Sequence, residues 1–157
     1  MPTTYDNDAF DDARTAVLTE LDELLTYMAA NAIVPKFDAV YDTHWETPAL
    51  DFNCVSVGIT DVSDLTLSPN RVEYLYTIEL RIYTGEENTV HAEVTFLRLA
   101  NSVLNWFRAH ASTLTGSFRL KDSIPARVES NIFFEDTGAK GGRVTFTIFG
   151  VEVYTQV

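Results

Sequence analysis

Apolar residues near the start of the chain recur at spacings of three and four, which is the pattern of an amphipathic helix. The pattern predicts a helix over residues 8–30, with carboxylates at Asp11 and Asp12 near the positive end of its dipole. Asn31 and Pro35 mark its end. One apolar stripe runs along it, made of Phe10, Ala13, Val17, Leu21, Leu24 and Met28. We expect this stripe to pack against the rest of the protein.

A second helical pattern follows Gly85, with Glu86, Glu87 and Asn88 at its start, and extends to about Ala111. Its predicted buried stripe again has spacings of three and four. The stripe consists of Val94, Leu97, Ala100, Val103, Leu104 and Phe107. The sequence therefore predicts two long helices, separated by a segment with a different pattern.

Outside the two helices the apolar period shortens to two, which is typical of β-strands. The clearest alternation runs over residues 72–83, where Leu75 and Tyr83 make the second face partly apolar. In the last strand pattern the apolar positions change parity near Gly150, which predicts either a bulge or a strand buried on both faces. The weaker strand patterns cover residues 37–41, 53–59, 117–120, 126–135 and 143–154.

Two segments rich in turn-forming residues predict hairpin loops. One covers residues 61–70, which are rich in Asp, Ser and Thr and end in Ser68-Pro69-Asn70. The other covers residues 136–143, which contain a glycine-rich run. Short loops of this kind imply that the strands they connect pair in an antiparallel arrangement.

The order of elements predicts the fold class, which is α+β: a two-layer structure with a mainly antiparallel mixed sheet and two helices packed on one face. The length of 157 residues suits one domain that spans the whole chain, 1–157. Two helices cannot cover both faces of such a sheet. Since Leu75 and Tyr83 make the second face partly apolar, we expect a partner subunit to lie on it.

The charge of the chain excludes one class of function. With 23 acidic residues against 11 Lys and Arg, the formal net charge is −12. Proteins that bind the phosphate backbone use Lys and Arg to displace counterions, so a nucleic-acid reader is excluded and an anionic membrane is a disfavoured partner. Few lysines and 19 threonines fit a surface adapted to high salt, and an acidic protein from a GC-rich genome is the alternative.

The sequence contains no convincing catalytic, metal or cofactor motif. Residues 42–46 include His44 and two carboxylates, but no second His or Cys is suitably spaced for a metal site. Asp61 and Asp64 lack the ligand spacing of a calcium loop. Residues 138–142 lie between strands and not before a helix, so they do not form a phosphate loop. We therefore predict that the protein is not an enzyme and uses no cofactor.

Three stretches together resemble the tail terminator, or tail-completion, proteins of long-tailed bacteriophages, archaeal tailed viruses and gene transfer agents. The resemblance lies in the order of elements and their apolar patterns, and it spans nearly the whole chain. The stretches are the opening helix Phe10–Leu18, the long strand and turn Tyr76–Gly85 with the helix end Leu104–Phe107, and the final hairpin of Val128–Glu135 with Val144–Val153.

The resemblance implies a structural virion protein without catalytic residues. Such a protein assembles into a homo-oligomeric ring, here expected to be a hexamer, which caps the tail tube, ends tail elongation and offers the surface to which the head is joined. The implied partners are further copies of itself, the tail-tube protein and the head-closure or connector protein. Genomic DNA would pass through the lumen as cargo. The implied location is the neck of the virion, after synthesis in the host cytoplasm.

Eight residues are candidates for protein–protein contact, because they lie in the predicted loops or on the second face of the long strand. They are Asp61, Asp64, Leu65, Leu67, Leu75, Tyr83, Lys140 and Arg143. Two other functions remain open at this point. One is a head-completion or head–tail connector protein, and the other is a small α+β ligand-binding or enzymatic domain with a site built from aromatic and carboxylate side chains.

Overall fold

A computed structural model describes residues 3–4, 8–44, 52–68, 71–110, 114, 118–120, 126–135, 137–153 and 155–156. Within these ranges the two helices and the longer strands follow the predicted order, and two short strands, Thr3–Thr4 and Thr155–Gln156, were not predicted. The elements are β1 (Thr3–Thr4), α1 (Ala9–Ala30), β2 (Ala39–Tyr41), β3 (Cys54–Ser68), β4 (Arg71–Thr84), α2 (Thr89–Ala109), β5 (Arg119–Leu120), β6 (Arg127–Phe134), β7 (Ala139–Val153) and β8 (Thr155–Gln156).

The main sheet has the strand order β2-β3-β4-β7-β5, and β6 also pairs with β7. The pairing of β2 with β3 is parallel, and every other pairing in this sheet is antiparallel. Two further short strands, β1 and β8, pair with each other. Both helices pack on one face of the main sheet. The predicted fold class, a two-layer α+β structure with a mainly antiparallel mixed sheet, is confirmed.

The core lies between the helices and the sheet. On β4 four even-numbered residues point towards the helices with side chains at most 1% exposed. They are Tyr76, Ile78, Leu80 and Ile82. The predicted stripe of α1 is buried against this layer from Ala13 to Met28, whereas Phe10 is half-exposed and packs edge-on against Tyr74 and Tyr76. No helix of the described residues is both long and apolar enough to cross a membrane.

The buried stripe of α2 differs from the predicted one. Val94 and Leu97 are 43% and 45% exposed, while Phe96 is fully buried. The helix is turned this way because Phe96 packs over Gly142 of β7, where a Cβ atom would lie only 2.4 Å from the phenyl ring. The apolar residues of α2 could form more than one buried stripe. The space that Gly142 leaves on the sheet favours the stripe that contains Phe96.

The prediction of a loop over residues 61–70 is wrong for most of its length. The strand β3 continues to Ser68 and pairs with β4 as far as Arg71, so that Asp61 and Asp64 lie in a long hairpin. The pairing shifts register between Ile59 and Asp61 and again near the end of the strand. Backbone hydrogen bonds to a long partner strand hold this polar segment extended although its composition favours a turn.

The prediction of a loop over residues 136–143 is also wrong in part. The turn is completed where the backbone N–H groups of Thr137 and Gly138 donate to the carbonyl of Phe134, and β7 begins at Ala139. Lys140 therefore lies in a strand. The neighbouring Gly141 is required there by close packing, because a Cβ atom on it would lie 1.8 Å from the carbonyl oxygen of Ile82.

The predicted bulge at Gly150 is not formed. The pairing of β4 with β7 runs through Tyr74 and Gly150 without a shift in register. Instead β7 lies between β4 and the pair β5 and β6, with Ile148 buried on the helix side and Thr147 buried on the other. This agrees with the alternative that the sequence left open, a strand buried on both faces.

Candidate functional site

The candidate site is the face of the sheet that turns away from both helices, which we call the helix-free face. It consists of the odd-numbered residues of β4 from Arg71 to Tyr83 and their cross-strand partners on β3 and β7, with the facing residues of β5 and β6. Along the strands it divides into an aromatic end, a charged middle and an apolar end.

The aromatic end forms a second, smaller core. Tyr83 packs against Phe134 with ring centroids 4.7 Å apart, and Cys54 and Ala139 complete the cluster, all at most 5% exposed. Partly buried residues of β2 and β6 reach the same cluster, so the sheet curls over this end. Tyr83 was a candidate contact residue, but its side chain is buried within the chain itself and is not available to a partner.

The charged middle is built around Glu79, whose side chain is 13% exposed. Its carboxylate lies 3.0 Å from Nε of Arg143, 3.6 Å from Nε2 of His44 and 3.9 Å from Nε of Arg81. The adjacent His44 side chain is the main cause of a pKa of Glu79 below its ordinary range, and burial opposes this shift. The two guanidinium groups add to the lowering, so Glu79 is a carboxylate at neutral pH.

The three cationic or polar partners of Glu79 have unused hydrogen-bonding capacity. Within the described ranges, Nε2 of His44 and the Nε atoms of Arg81 and Arg143 are buried and have no hydrogen-bond partner, although all three lie within ion-pair distance of Glu79. A single carboxylate therefore faces two arginines without aligned hydrogen bonds. Two guanidinium groups against one carboxylate leave a net positive charge, and the exposed parts of the two arginines can attract a further anionic group.

His44 is held on the sheet by β3. Its Nδ1 atom lies 2.6 Å from Oγ of Ser56, which in turn donates to the hydroxyl of Tyr83 at 3.4 Å. The imidazole lies over Gly58, where a Cβ atom would be 2.6 Å from Nε2. Ser56, His44 and Glu79 have the residue types of a hydrolase triad, but Ser56 is 0% exposed, and a nucleophile must be reachable by its substrate. The contacts of His44 with Ser56 and Gly58 hold the imidazole in place against the sheet.

The apolar end is formed by a cross-strand pair, Leu75 of β4 and Phe149 of β7, with Thr77 and Thr147 beside them. Leu75 and Phe149 are half-buried, so both keep part of their surface open on the helix-free face. This agrees with the sequence-based expectation that the second face is partly apolar. Leu75 remains a candidate contact residue.

The charge of the helix-free face differs from that of the whole chain. Five of the eight arginines lie on it, and they face only four acidic residues, so its formal charge is +1. With a total of −12, the remainder of the chain carries −13. The arginines are Arg71, Arg81, Arg119, Arg127 and Arg143, and the acids are Asp61, Glu73, Glu79 and Glu129.

The other candidate residues from the sequence do not all join this face. Asp61 is exposed on it, whereas Asp64 pairs with Tyr74 and lies on the opposite face. Lys140 ties β7 to the start of α2, because its ammonium group donates to the carbonyl of Glu87. The side chains of Leu65 and Leu67 lie outside the described residues.

Sequence reasoning missed His44, Glu79 and Arg81 as members of one cluster. The alternation of β4 does place Glu79 and Arg81 on the same face, which is the only local signal for them. The positions of His44 and Arg143 depend on strand register, which the sequence patterns did not determine.

The described part of the chain has a small cleft and no metal cluster. The cleft has a volume of about 170 Å³ and lies between α2 and β6, lined by Ala92, Ile132 and Phe133 among others. Two larger hollows, of about 370 and 600 Å³, lie on α1 and between the start of α2 and β7. Within the described ranges no three His, Cys, Asp or Glu side chains are grouped so that they could hold a metal ion. Glu46, one residue of the 42–46 pattern, lies outside these ranges.

No protein-family model matches the sequence, and no curated protein matches it either.

Proposed function

We propose that this protein is a tail terminator: a structural virion protein that forms a ring on the last tail-tube ring, ends tail elongation and provides the surface for head joining. The observation that carries the proposal is the open helix-free face, which combines the apolar pair Leu75 and Phe149 with an arginine-rich middle. Leu75 and Phe149 are half-buried in the single chain, so a partner that covers this face would bury further apolar area. The resemblance in element order supplies the identity of the partners.

The two-layer architecture supports a ring. A subunit in a closed ring needs two different, complementary surfaces that face away from each other, so that each copy binds the next. This chain has a sheet face on one side and a helix layer on the other, and the two sides differ in charge. We propose six copies, as the resemblance implies.

The net charge fits the proposed location at the neck of the virion. A ring at the neck would surround DNA as the genome passes, and a chain with a charge of −12 repels phosphates wherever its acids face the lumen. The DNA is then cargo and not a ligand. The tail-tube protein and the head-closure or connector protein are the proposed binding partners.

A tube-capping assay tests this function. Tail-tube subunits from the same particle are polymerised with and without the purified protein, and tube length and end density are measured by electron microscopy. We expect shorter tubes with extra density at one end. Tubes that grow to the same length without end density would contradict the proposal.

A matched pair of variants identifies the surface used. Leu75→Arg places a charge on the apolar end of the helix-free face, and we expect it to abolish capping. Val34→Arg changes an 85%-exposed residue between α1 and β2, and we expect it to leave capping unchanged. Cryo-electron microscopy of the particle then separates a terminator from a connector, since density only next to the portal would exclude the terminator role.

A further inference from the structure

The outer surface of α1 carries the opposite charge to the helix-free face. Asp22 and Glu23 are exposed there, and in the described part of the structure no cation lies within ion-pair distance of either carboxylate. Together with Thr19 and Thr26 they line a surface hollow of about 370 Å³. We call these four residues the acidic hollow.

Exposed arginines on the helix-free face match this hollow. Arg127 is 77% exposed and lies 3.7 Å from Glu129, its one ion-pair partner among the described residues, while Arg119 is exposed on β5. The cluster around Glu79 adds two further arginines, Arg81 and Arg143, whose side chains are partly exposed. Guanidinium groups pair well with carboxylates because several of their N–H donors can contact two oxygens.

We infer that the helix-free face of one copy docks onto the acidic hollow of α1 in a second copy. This inference rests on the proposed function, because it takes from it that copies of the chain assemble with one another. Since α1 covers one side of the sheet and the arginines lie on the other, a docked pair still has one free helix-free face, on one copy, and one free acidic hollow, on the other. The contact is therefore head-to-tail, the arrangement that builds a ring when the rotation between copies closes.

The apolar end strengthens the docking surface. Leu75 and Phe149 lie on the same face as the arginines and are half-buried in the isolated chain. Burying them against a second copy adds an attraction that salt does not screen, whereas the arginine–carboxylate pairs weaken as salt rises. We expect self-association to fall with added salt but not to vanish.

Charge reversal on each surface tests the docking. One double variant, Arg119→Glu with Arg127→Glu, reverses the helix-free face, and another, Asp22→Lys with Glu23→Lys, reverses the hollow. We expect each to weaken self-association about tenfold or more in analytical ultracentrifugation, because attractive pairs become repulsive. A 1:1 mixture of the two should restore association, since each variant supplies the surface that the other lacks.

Matched controls separate this effect from a general change of charge. Arg98→Glu with Arg108→Glu changes two exposed arginines of α2, and Glu86→Lys with Glu87→Lys changes two exposed acids before it. We expect both controls to associate like the unchanged chain. Equal weakening by the controls, or no recovery in the mixture, would overturn the inference.

Disulfide trapping extends the test to copies assembled on tail tubes. A chain with Glu23→Cys and Arg127→Cys should form a ladder of linked oligomers on oxidation, whereas either cysteine alone should give dimers at most; the native Cys54 is buried. No ladder, in solution or on tubes, would reject the head-to-tail contact. Capped tubes without a ladder would support the terminator role and reject this contact. A ladder with uncapped tubes supports the contact and counts against the role.

Discussion

Among the described residues, the Glu79 carboxylate is the one acid within ion-pair distance of Arg81 and Arg143, so the neutral substitution Glu79→Gln measures what its charge contributes to stability. Removing one partner of a buried ion pair costs about 3–5 kcal/mol, and an exposed pair contributes about 0–1 kcal/mol. Glu79 is 13% exposed, while Arg81 and Arg143 are 26% and 36% exposed. The site is intermediate, and we expect Glu79→Gln to lower the free energy of unfolding by about 2 kcal/mol near neutral pH.

The pH dependence of this loss has a defined sign. The pKa of Glu79 is lower in the folded chain than its ordinary value, chiefly because of the neighbouring His44, so folding favours the charged form. The stabilisation is complete above the ordinary range of a glutamate and disappears as the pH falls through the lowered pKa. A protonated Glu79 resembles glutamine, so the two proteins should converge in acid.

Urea unfolding at several pH values measures the difference. Tryptophan fluorescence reports the transition, and the free energy of unfolding is compared for the two proteins between about pH 7 and about pH 3. Glu86→Gln is the control, because Glu86 is an exposed carboxylate outside the cluster. A difference for Glu79→Gln that stays constant with pH, or one no larger than that of the control, would refute the role of the charge.

Two further predictions concern packing elsewhere in the chain. Gly141→Ala should prevent or severely weaken folding, because its Cβ atom would collide with a backbone carbonyl of β4, whereas Gly138→Ala, in an open turn with a φ of +72°, should cost about 1 kcal/mol. Circular dichroism melts check this, and similar melting temperatures would contradict the packing argument. Glu20→Ala should cost about 1–3 kcal/mol, because buried Glu20 accepts a 2.9 Å hydrogen bond from the indole of Trp106. The same measurement on Glu23→Ala, exposed on the same helix, should show a change within about 0.5 kcal/mol.

Local periodicity correctly predicted the elements that bury one face along most of their length. The helix over residues 8–30 was predicted within one residue of α1, because its stripe from Ala13 to Met28 faces a single core. The long strand of residues 72–83 was also predicted closely, since its even-numbered residues from Tyr76 to Ile82 are buried and the residues between them are only partly buried. The order of these elements was enough to predict the fold class.

Composition gave wrong predictions for segments whose backbone conformation depends on pairing with a distant strand. The polar residues of 61–68 and the glycines after Ala139 favour turns locally, but both segments are strands because each pairs with β4 along its length. Gly141 and Gly142 are needed where β4, β6 and Phe96 approach β7 closely. Such close approaches have no local signal, since they depend on which strands become neighbours.

The sequence by itself determined the two helices, the long strand, the two-layer class and the excess of acids, because each follows from local period or from composition. Only the tertiary structure decided that Tyr83 is covered by Phe134, that His44 and Arg143 meet Glu79, and that the arginines collect on the helix-free face. These depend on strand register and on the curl of the sheet. A shift of one residue would move every side chain of a strand to the other face, so register alone sets the charge of the surface on which the proposed assembly depends.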